Sequence, residues 1–394
     1  MFLALLWAFW AALICLCAMN IAFFMDSYKP YISGVTNSAE ILATNLRRLG
    51  HRVYIFAPSY PGHIDTDPDI TRFPSIAGGY PNFRLAIPFV RNMPEVDIIH
   101  SHSPFQAGLL ARLIARKNNI PLVYSFHTFF TRYTHYARFV PKAAAKLGIT
   151  AYIRQYANGV DTVIAPSEMA RRYLKSLGVK KQIEIIPSGV EIDKLPASLP
   201  EARATLRSQH HIPHDAIVLV YAGRVSKEKN IPFLFKAFEH IKDENVYLAI
   251  VGNGPLDAEL HRQHRRNKRV IFITNVSYPG ILAYYSIGDI FLFSSTTETQ
   301  GMVIAEAKAS GLPVVALFAG ALTGSVRSGV DGYLVPRSLP RFAEHVRRLI
   351  ADPVLRRKMS VAGLEDALDR FAAPAVAKSI ETLYNSLIDH SSNS

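Results

Sequence analysis

The chain has 394 residues, of which 49% are hydrophobic and 19% charged, and its formal net charge is +13. This hydrophobic content excludes general disorder, and the length suits two domains of ordinary size. Its only cysteines, Cys15 and Cys17, lie in the first apolar stretch, which excludes a disulfide framework or a cysteine metal site in the remainder. The positive charge predicts an acidic ligand or an anionic membrane surface, and no nucleic-acid-binding signature is present.

Residues 1–18 form an apolar stretch whose only charge is the terminal amino group. As a helix it would just reach across a hydrocarbon core. It lacks the basic region and the cleavage site of a secretory signal peptide. A predicted core strand, beginning at Asn20, follows it without a linker. We therefore predict either an upstream-extended or non-native leader or a membrane anchor, rather than a cleaved signal.

From residue 20 onward, short apolar runs alternate with segments of helical periodicity. Strands are predicted at 20–25, 52–57, 97–100, 121–126, 161–165, 183–186, 217–222, 246–251, 270–274, 289–293 and 313–317. Helices are predicted at 36–49, 105–118, 141–158, 168–177, 230–241, 255–266, 279–286, 302–310 and about 375–388. This alternation predicts βαβ units and parallel sheets, and hence an α/β fold class.

The alternating pattern restarts after a proline-rich join between Ile186 and Pro200. We predict two doubly wound, Rossmann-like domains, over residues 19–196 and 197–374. Ligands of such folds bind at the carboxyl ends of the strands, so we predict a ligand-binding cleft between the domains.

Two glutamates, Glu298 and Glu306, lie eight positions apart inside a predicted strand, loop, helix and strand. Glu298 falls in the loop, and Glu306 about one turn into the helix predicted over 302–310. The N-terminus of that helix directs free N–H groups and the positive end of its dipole at the same space. This pattern suits a ligand with sugars at both ends and phosphate between them. Two ordinary acids near a helix N-terminus are the alternative.

Two glycine-containing turns follow strands of the second half. The turn 223–230, with the sequence GRVSKEKN, places the cations Arg224 and Lys229 at the start of a helix, which suits a diphosphate. A solvated basic turn is the alternative. The second turn contains Gly252 and Gly254, but it is not a complete G-x-G-x-x-G motif and is weak by itself.

The sequence around the glutamate pair resembles the E-x7-E region of the retaining glycosyltransferases of family 4, which have the GT-B fold. The resemblance extends from Met19 to about residue 388. It implies that Glu298 is catalytic and contacts the transferred hexose, while Glu306 contacts the ribose of the nucleotide sugar. It also implies that residues 375–394 form a helix crossing back to the N-terminal domain. The start of the helix after Glu298 would contact the donor through Gly301, Met302 and Val303.

The turn 223–230 is similar to the G-R-x-x-x-E-K-N motif of the same family. The resemblance therefore assigns Arg224 and Lys229 to the leaving diphosphate, as catalytic and donor-binding residues. Gly252 and Gly254 resemble the family's G-x-G-P turn, which passes under the nucleotide.

Three residues of the first half follow predicted strands. Gly34 resembles the glycine of the loop that lets backbone amides approach the diphosphate and sugar. A lone histidine after a strand is more often structural, but the resemblance assigns His127 to the donor sugar as a catalytic residue. His102 is a weaker candidate on the acceptor side.

No metal site or cofactor is predicted. Asp65 and Asp67 form a D-x-D pattern, but it lies in a proline- and glycine-rich loop, where solvated carboxylates are the simpler interpretation. The cationic turn 223–230 would neutralise the diphosphate in place of a metal ion. The nucleotide sugar, which we expect to be UDP-glucose, would be a substrate.

The stretch 127–156 mixes aromatic with basic residues, which suits a membrane interface; a helix packed on its own domain is the alternative. Its H-T-x-x-x-x-Y-x-H-Y arrangement resembles the diacylglycerol glucosyltransferases. The resemblance implies transfer of a hexose, expected to be glucose, to a membrane lipid such as diacylglycerol. The enzyme would work at the cytoplasmic face of a membrane, peripherally or through an N-terminal anchor.

Four alternatives stay open. Within the same reaction class they are a phosphatidylinositol mannosyltransferase and a sulfoquinovosyltransferase. From other classes they are a sugar-nucleotide epimerase and a non-catalytic protein that binds a nucleotide sugar.

Overall fold

The computed structural model describes residues 18–78, 84–132, 141–195, 200–276 and 278–392. The chain divides into two units, one with the residues up to Gly189 and from Ala373 onward, the other Val190–Ala372. Except for Ala18, the predicted leader lies outside the described residues. None of the described helices is long and apolar enough to cross a membrane.

The first unit is built on a seven-stranded parallel sheet and a short antiparallel hairpin. The strands are β1 (Asn20–Phe24), β2 (Arg52–Pro58), β3 (Ile70–Phe73), β4 (Ser75–Ala77), β5 (Arg84–Ala86), β6 (Ile98–Ser101), β7 (Leu122–Ser125), β8 (Thr162–Ala165) and β9 (Gln182–Ile185). The sheet order is β3-β2-β1-β6-β7-β8-β9, and β4 pairs with β5. Strands β6, β7 and β8 are buried along their whole length, as parallel strands covered on both faces must be.

The α-helices described between these strands are α1 (Gly34–Arg48), α2 (Gln106–Asn118), α3 (Lys142–Ala157) and α4 (Glu168–Ser176). Helix α1 begins with a capping box, in which Ser33 accepts from the backbone N–H of Thr36 and the Thr36 hydroxyl accepts from that of Ser33. Helix α2 is followed by Asn119, whose φ of 54° places it in the left-handed region that stops helices.

The second unit carries a six-stranded parallel sheet. Its strands are β10 (Ile217–Ala222), β11 (Val246–Val251), β12 (Val270–Ile273), β13 (Ile290–Phe293), β14 (Val314–Leu317) and β15 (Gly332–Val335). Its helices are α5 (Pro200–Gln209), α6 (Ile231–Glu239), α7 (Asp257–His264), α8 (Met302–Ala309), α9 (Leu339–Ala351) and α10 (Pro353–Arg370). The sheet order is β12-β11-β10-β13-β14-β15, the doubly wound order.

The last helix, α11 (Ala373–Ser392), belongs to the first unit. Its Tyr384 hydroxyl lies 2.5 Å from Nδ1 of His100 on β6, and its Glu381 lies 3.1 Å from Nε2 of His51. From the sequence, the boundary between the two domains is predicted after residue 196. In the structure, Val190 already donates to the Phe371 carbonyl at 2.8 Å within the second unit.

The α/β prediction of two doubly wound sheets is confirmed, but several elements differ. Residues Gly280–Ile287 form a 3-10 helix where an α-helix was expected. Strand β15 was not predicted because it begins with Gly332, a residue uncommon in strands. A Cβ at that position would lie 2.3 Å from the Val314 carbonyl oxygen, so the approach of β14 requires glycine there.

Candidate active site

The predicted residues of the second half meet where the order of its sheet reverses. Strands β10 and β13 are neighbours in the sheet, yet two other strands, β11 and β12, lie between them along the chain. The loops that follow them leave the same edge, and such a reversal is where ligands of doubly wound folds bind. Here Lys229, after β10, donates to Oε1 of Glu298, after β13, at 2.5 Å. The structure thus brings together a cation and a carboxylate 69 positions apart.

Further hydrogen bonds hold the loops that carry Lys229 and Glu298 together. The Ser294 hydroxyl donates to the carbonyl of Lys229 at 2.7 Å and lies 3.0 Å from that of Asn230, which ties the two loops together. Asn230 has a φ of 54°, which lets the chain turn sharply from Lys229 into α6. Burial opposes ionisation of Glu298, but the adjacent Lys229 ammonium holds the pKa of that carboxyl below its usual value. Glu298 is therefore an anion at neutral pH.

Glu306 lies in α8, where it is buried. Its Oε2 accepts a hydrogen bond from the Tyr285 hydroxyl at 2.6 Å. Burial raises the pKa of the Glu306 carboxyl, and the Tyr285 hydrogen bond partly offsets this effect. Tyr285 was missed by the sequence analysis, because it comes from the 3-10 segment and is separated from Glu306 by 21 positions.

The two glycine turns approach each other closely. A Cβ added to Gly252 would lie 2.1 Å from the carbonyl oxygen of Gly223, and one added to Gly254 would lie 2.0 Å from that of Val225. The turns are joined by a hydrogen bond from the Val225 N–H to the Asn253 carbonyl at 3.0 Å. Both positions therefore require glycine for backbone packing, a reason the sequence motif alone does not give.

The N-cap residue of α8, the helix after Glu298, is Gly301, with a φ of 84°. This left-handed residue turns the chain into α8, whose first residues are Met302 and Val303. Arg224 is exposed in the loop after β10, and its carbonyl accepts from the Tyr221 hydroxyl at 2.9 Å. An exposed guanidinium and a helix N-terminus at one sheet edge form an environment suited to an anion.

In the first unit, the sheet order reverses between β1 and β6. Gly34 opens α1, in the connection that follows β1, and a Cβ built on it would contact none of the described residues. In the same connection, buried Asp26 accepts from the N–H groups of Phe105 and Ala107 at 3.1 and 2.8 Å, which caps α2. Burial raises the pKa of Asp26 to about 6, against those hydrogen bonds.

Three histidines stack at the carboxyl ends of β6 and β7. The rings of His100 and His102 are 4.1 Å apart, and Nδ1 of His102 lies 3.2 Å from Nε2 of His127. Burial lowers the pKa of His127 to about 4, and burial together with the His127 ring lowers that of His100 to about 3. These rings are therefore neutral at physiological pH. The structure places the predicted His127 and His102 side by side, in the first unit.

Because His100 is buried and neutral in the folded state, we expect the protein to lose stability in acid. The folded-state pKa of His100 lies far below 6.5, so the unfolded chain takes up protons first. The neutral His100 ring stabilises the fold fully above about pH 6.5, the pKa of histidine in the unfolded chain. This stabilisation is lost as the pH falls towards the folded-state pKa of His100. We expect wild-type protein to lose roughly 2 kcal/mol of unfolding free energy through His100 by about pH 5. Urea unfolding across this pH range should show a shallower dependence for His100→Asn than for exposed His214→Asn, and equal slopes would contradict the prediction.

The two carboxylates of the D-x-D pattern form ion pairs with arginines. Asp65 accepts from Arg72 at 2.6 Å, and Asp67 accepts from Arg47 at 2.7 Å. Asp69, the next acid, pairs with Arg52 at 2.9 Å. Within the described ranges, no group of three or more histidine, cysteine or acidic side chains is arranged to hold a metal ion.

Comparisons with known proteins cover almost the whole chain. The family model described as Glycosyltransferase Family 4 matches residues 32–194, and that of Glycosyl transferases group 1 matches residues 202–366. The chain is 32% identical to an alpha-monoglucosyldiacylglycerol synthase of Acholeplasma laidlawii, over 94% of this chain and 98% of the relative. It is 33% identical to the enzyme of that name from Streptococcus pneumoniae, over 76% of this chain and 71% of the relative.

Among solved structures, the Anabaena protein HepE in complex with UDP-glucose shares the fold, with a TM-score of 0.72 and 21% identity. The match covers 93% of this chain and all of the other. The GT-B fold is thereby confirmed. The chain therefore belongs to glycosyltransferase family 4.

Proposed function

We propose that this glycosyltransferase moves glucose from UDP-glucose to diacylglycerol, with retention of anomeric configuration. The observation that carries the proposal is the end-to-end similarity to an enzyme named for glucosyl transfer to diacylglycerol. The binding of UDP-glucose by a protein of the same fold supports the choice of donor. The paired Lys229 and Glu298, at the reversal point of the sheet, are consistent with a site for a ligand that carries both phosphate and sugar.

Each side chain is assigned one task in this proposal. Arg224 and Lys229 neutralise the diphosphate, together with the N-terminus of α8. Glu298 accepts hydrogen bonds from the hexose, through the carboxylate whose Oε1 also accepts from Lys229. The second carboxylate, Glu306, binds the ribose through the oxygen that does not accept from Tyr285.

The reaction exchanges one bond to the anomeric carbon for another. The bond from that carbon to the diphosphate oxygen breaks while the acceptor oxygen forms its own bond from the same face. The proton of the acceptor hydroxyl passes to the departing phosphate, which leaves as part of UDP. Arg224 and Lys229 stabilise the charge that develops on the leaving group. Gly34 and His127 are assigned to the diphosphate and the donor sugar.

The lipid acceptor implies work at an anionic membrane surface, for which we propose a peripheral association on the cytoplasmic side. Helix α3 supports this, since its sequence contains three cations and no acidic residue. Part of the basic, aromatic stretch that the sequence analysis assigned to the membrane, residues 133–140, lies outside the described residues.

The proposal is tested by product identification. Purified protein is incubated with UDP-glucose, UDP-galactose or GDP-mannose, each with dispersed diacylglycerol or phosphatidylinositol, and the lipids are analysed by mass spectrometry and NMR. We expect an α-glucosyldiacylglycerol that requires UDP-glucose. A mannosylated phosphatidylinositol formed from GDP-mannose would overturn the proposal in favour of that alternative.

Transfer is expected to be independent of divalent metal ions. The diphosphate has Arg224, Lys229 and the α8 N-terminus to neutralise it, and the D-x-D carboxylates of the first unit are already paired with arginines. The rate in excess EDTA should match that in Mg²⁺ or Mn²⁺. Complete loss of activity in EDTA, restored only by a divalent ion, would show that the cationic side chains do not suffice.

A further inference from the structure

One tyrosine contacts the carboxylate that is assigned to the ribose. The Tyr285 hydroxyl donates to Oε2 of Glu306 at 2.6 Å and lies 3.5 Å from the carbonyl oxygen of Val303, about one turn earlier in α8. Both side chains are buried, since only 1% of Tyr285 and 8% of Glu306 is exposed. Among the described residues, no other side chain donates a hydrogen bond to this carboxylate. The orientation of the Glu306 carboxylate therefore depends on Tyr285.

The direction of this hydrogen bond follows from the charges of the two groups. Burial and the adjacent Glu306 carboxylate hold the pKa of Tyr285 well above its usual range, so the phenol keeps its proton and is the donor. A hydrogen bond to an ionised acceptor is roughly twice as strong as one between neutral groups. Without the hydroxyl, a buried carboxylate would lose its donor, which costs free energy and favours its protonation.

The backbone that carries Tyr285 is fixed by two arginines of α5. Arg203 and Arg207 donate to the three backbone carbonyls that follow Tyr285, at distances of 2.7–3.1 Å. Both arginines also pair with Asp289, at 2.7 and 2.8 Å. Asp289 in turn accepts from the N–H of Val218, on the central strand β10, at 2.8 Å. The phenol is therefore held on a backbone that is tied to the middle of the sheet.

We infer that Tyr285 is a positioning residue, which orients the Glu306 carboxylate for the ribose of the donor. The inference rests on the proposed function, in which Glu306 binds that ribose. A carboxylate can only accept hydrogen bonds, and both ribose hydroxyls can donate them. Because Tyr285 holds Oε2, the second oxygen is presented in one direction, and the cost of orienting it is met before the nucleotide binds. A tyrosine that only filled the core would affect every nucleotide equally.

The substitution Tyr285→Phe removes the hydroxyl and keeps the ring. Dissociation constants for UDP, 2′-deoxy-UDP and 3′-deoxy-UDP are measured by calorimetry for the variant and for wild type. UDP should bind the variant roughly tenfold or more weakly, and the preference for UDP over the deoxy nucleotides should fall. The matched control is Tyr284→Phe, at the next position, where the ring is partly exposed and lies 5.7 Å from that of His210. It should bind all three nucleotides as wild type does.

A double substitution tests whether Tyr285 acts through Glu306. In the Glu306→Gln background, adding Tyr285→Phe should weaken UDP binding by only about twofold or less, because the contact is already lost. In turnover, Tyr285→Phe alone should raise the KM for UDP-glucose and leave kcat nearly unchanged. Effects of the two substitutions that add fully would overturn the inference.

Two further results would also overturn it. One is an unchanged preference for UDP over the deoxy nucleotides in Tyr285→Phe. The other is an equal loss of affinity for all three nucleotides together with a lower melting temperature, which is the result of a structural role. Failure of the proposed function appears in the product assay instead. A protein that shows the expected nucleotide preferences but makes no glucosyldiacylglycerol would contradict the proposed function alone.

Discussion

Glu298→Gln is expected to lower glucosyl transfer by about 10²–10³-fold or more. The substitution keeps the shape of the side chain but removes the negative charge that pairs with Lys229 at 2.5 Å. It also replaces an oxygen that can accept hydrogen bonds from the hexose with an amide nitrogen, which only donates. Glu306→Gln should mainly raise the dissociation constant for UDP, because its assigned partner is the ribose. Steady-state rates and calorimetric titration with UDP separate these effects.

The matched control is Glu244→Gln, which changes an exposed acid of the same unit in the same way. It should leave both the rate and the affinity for UDP unchanged. Wild-type activity in Glu298→Gln and Glu306→Gln alike would contradict the assignment of both glutamates. Loss of activity together with a large fall in melting temperature would instead show that the Lys229–Glu298 pair is chiefly structural.

Much of this fold could be predicted because its central strands are buried on both faces and are therefore continuous apolar runs. The fully buried β13 and β14 are examples. The loops after β10 and β13 could also be predicted, since their glycines, cations and glutamate form local motifs. Strand β3 was not predicted, because it lies at the sheet edge and its sequence, ITRF, contains an arginine and forms no continuous apolar run.

The partners of the site residues could not be predicted, because tertiary packing rather than local sequence brings them together. Asp26 caps a helix that begins 80 residues later, and Tyr285 reaches Glu306 from another segment. The histidines of β6 and β7 were found individually as residues following strands. Only the pairing of those strands shows that His102 and His127 touch.

The environment of Lys308 could not be predicted from the sequence either. Replacing this lysine is expected to give the largest loss of stability among the substitutions considered. In a helix sequence a lysine usually marks the solvent side, yet Lys308 is fully buried. Its ammonium donates to the Ser325 carbonyl at 2.9 Å and to Asp331 at 3.0 Å, and it also pairs with Asp366. Burial opposes ionisation of Asp366, but hydrogen bonds from Arg370 and Lys308 hold its pKa below the usual value.

Lys308→Met should therefore lower the free energy of unfolding by about 3–5 kcal/mol, since it leaves two buried carboxylates without their shared cation. For a unit of this size that corresponds to a fall of roughly 10 °C in melting temperature, measurable by scanning calorimetry. Lys236→Met, on the exposed side of α6, is the control and should change the melting temperature little. Neutralising one carboxylate as well, in Lys308→Met with Asp366→Asn, should recover part of the loss. If the single variant melts like wild type, the buried charges do not stabilise α8, and Glu306 must be held in place by packing and Tyr285 alone.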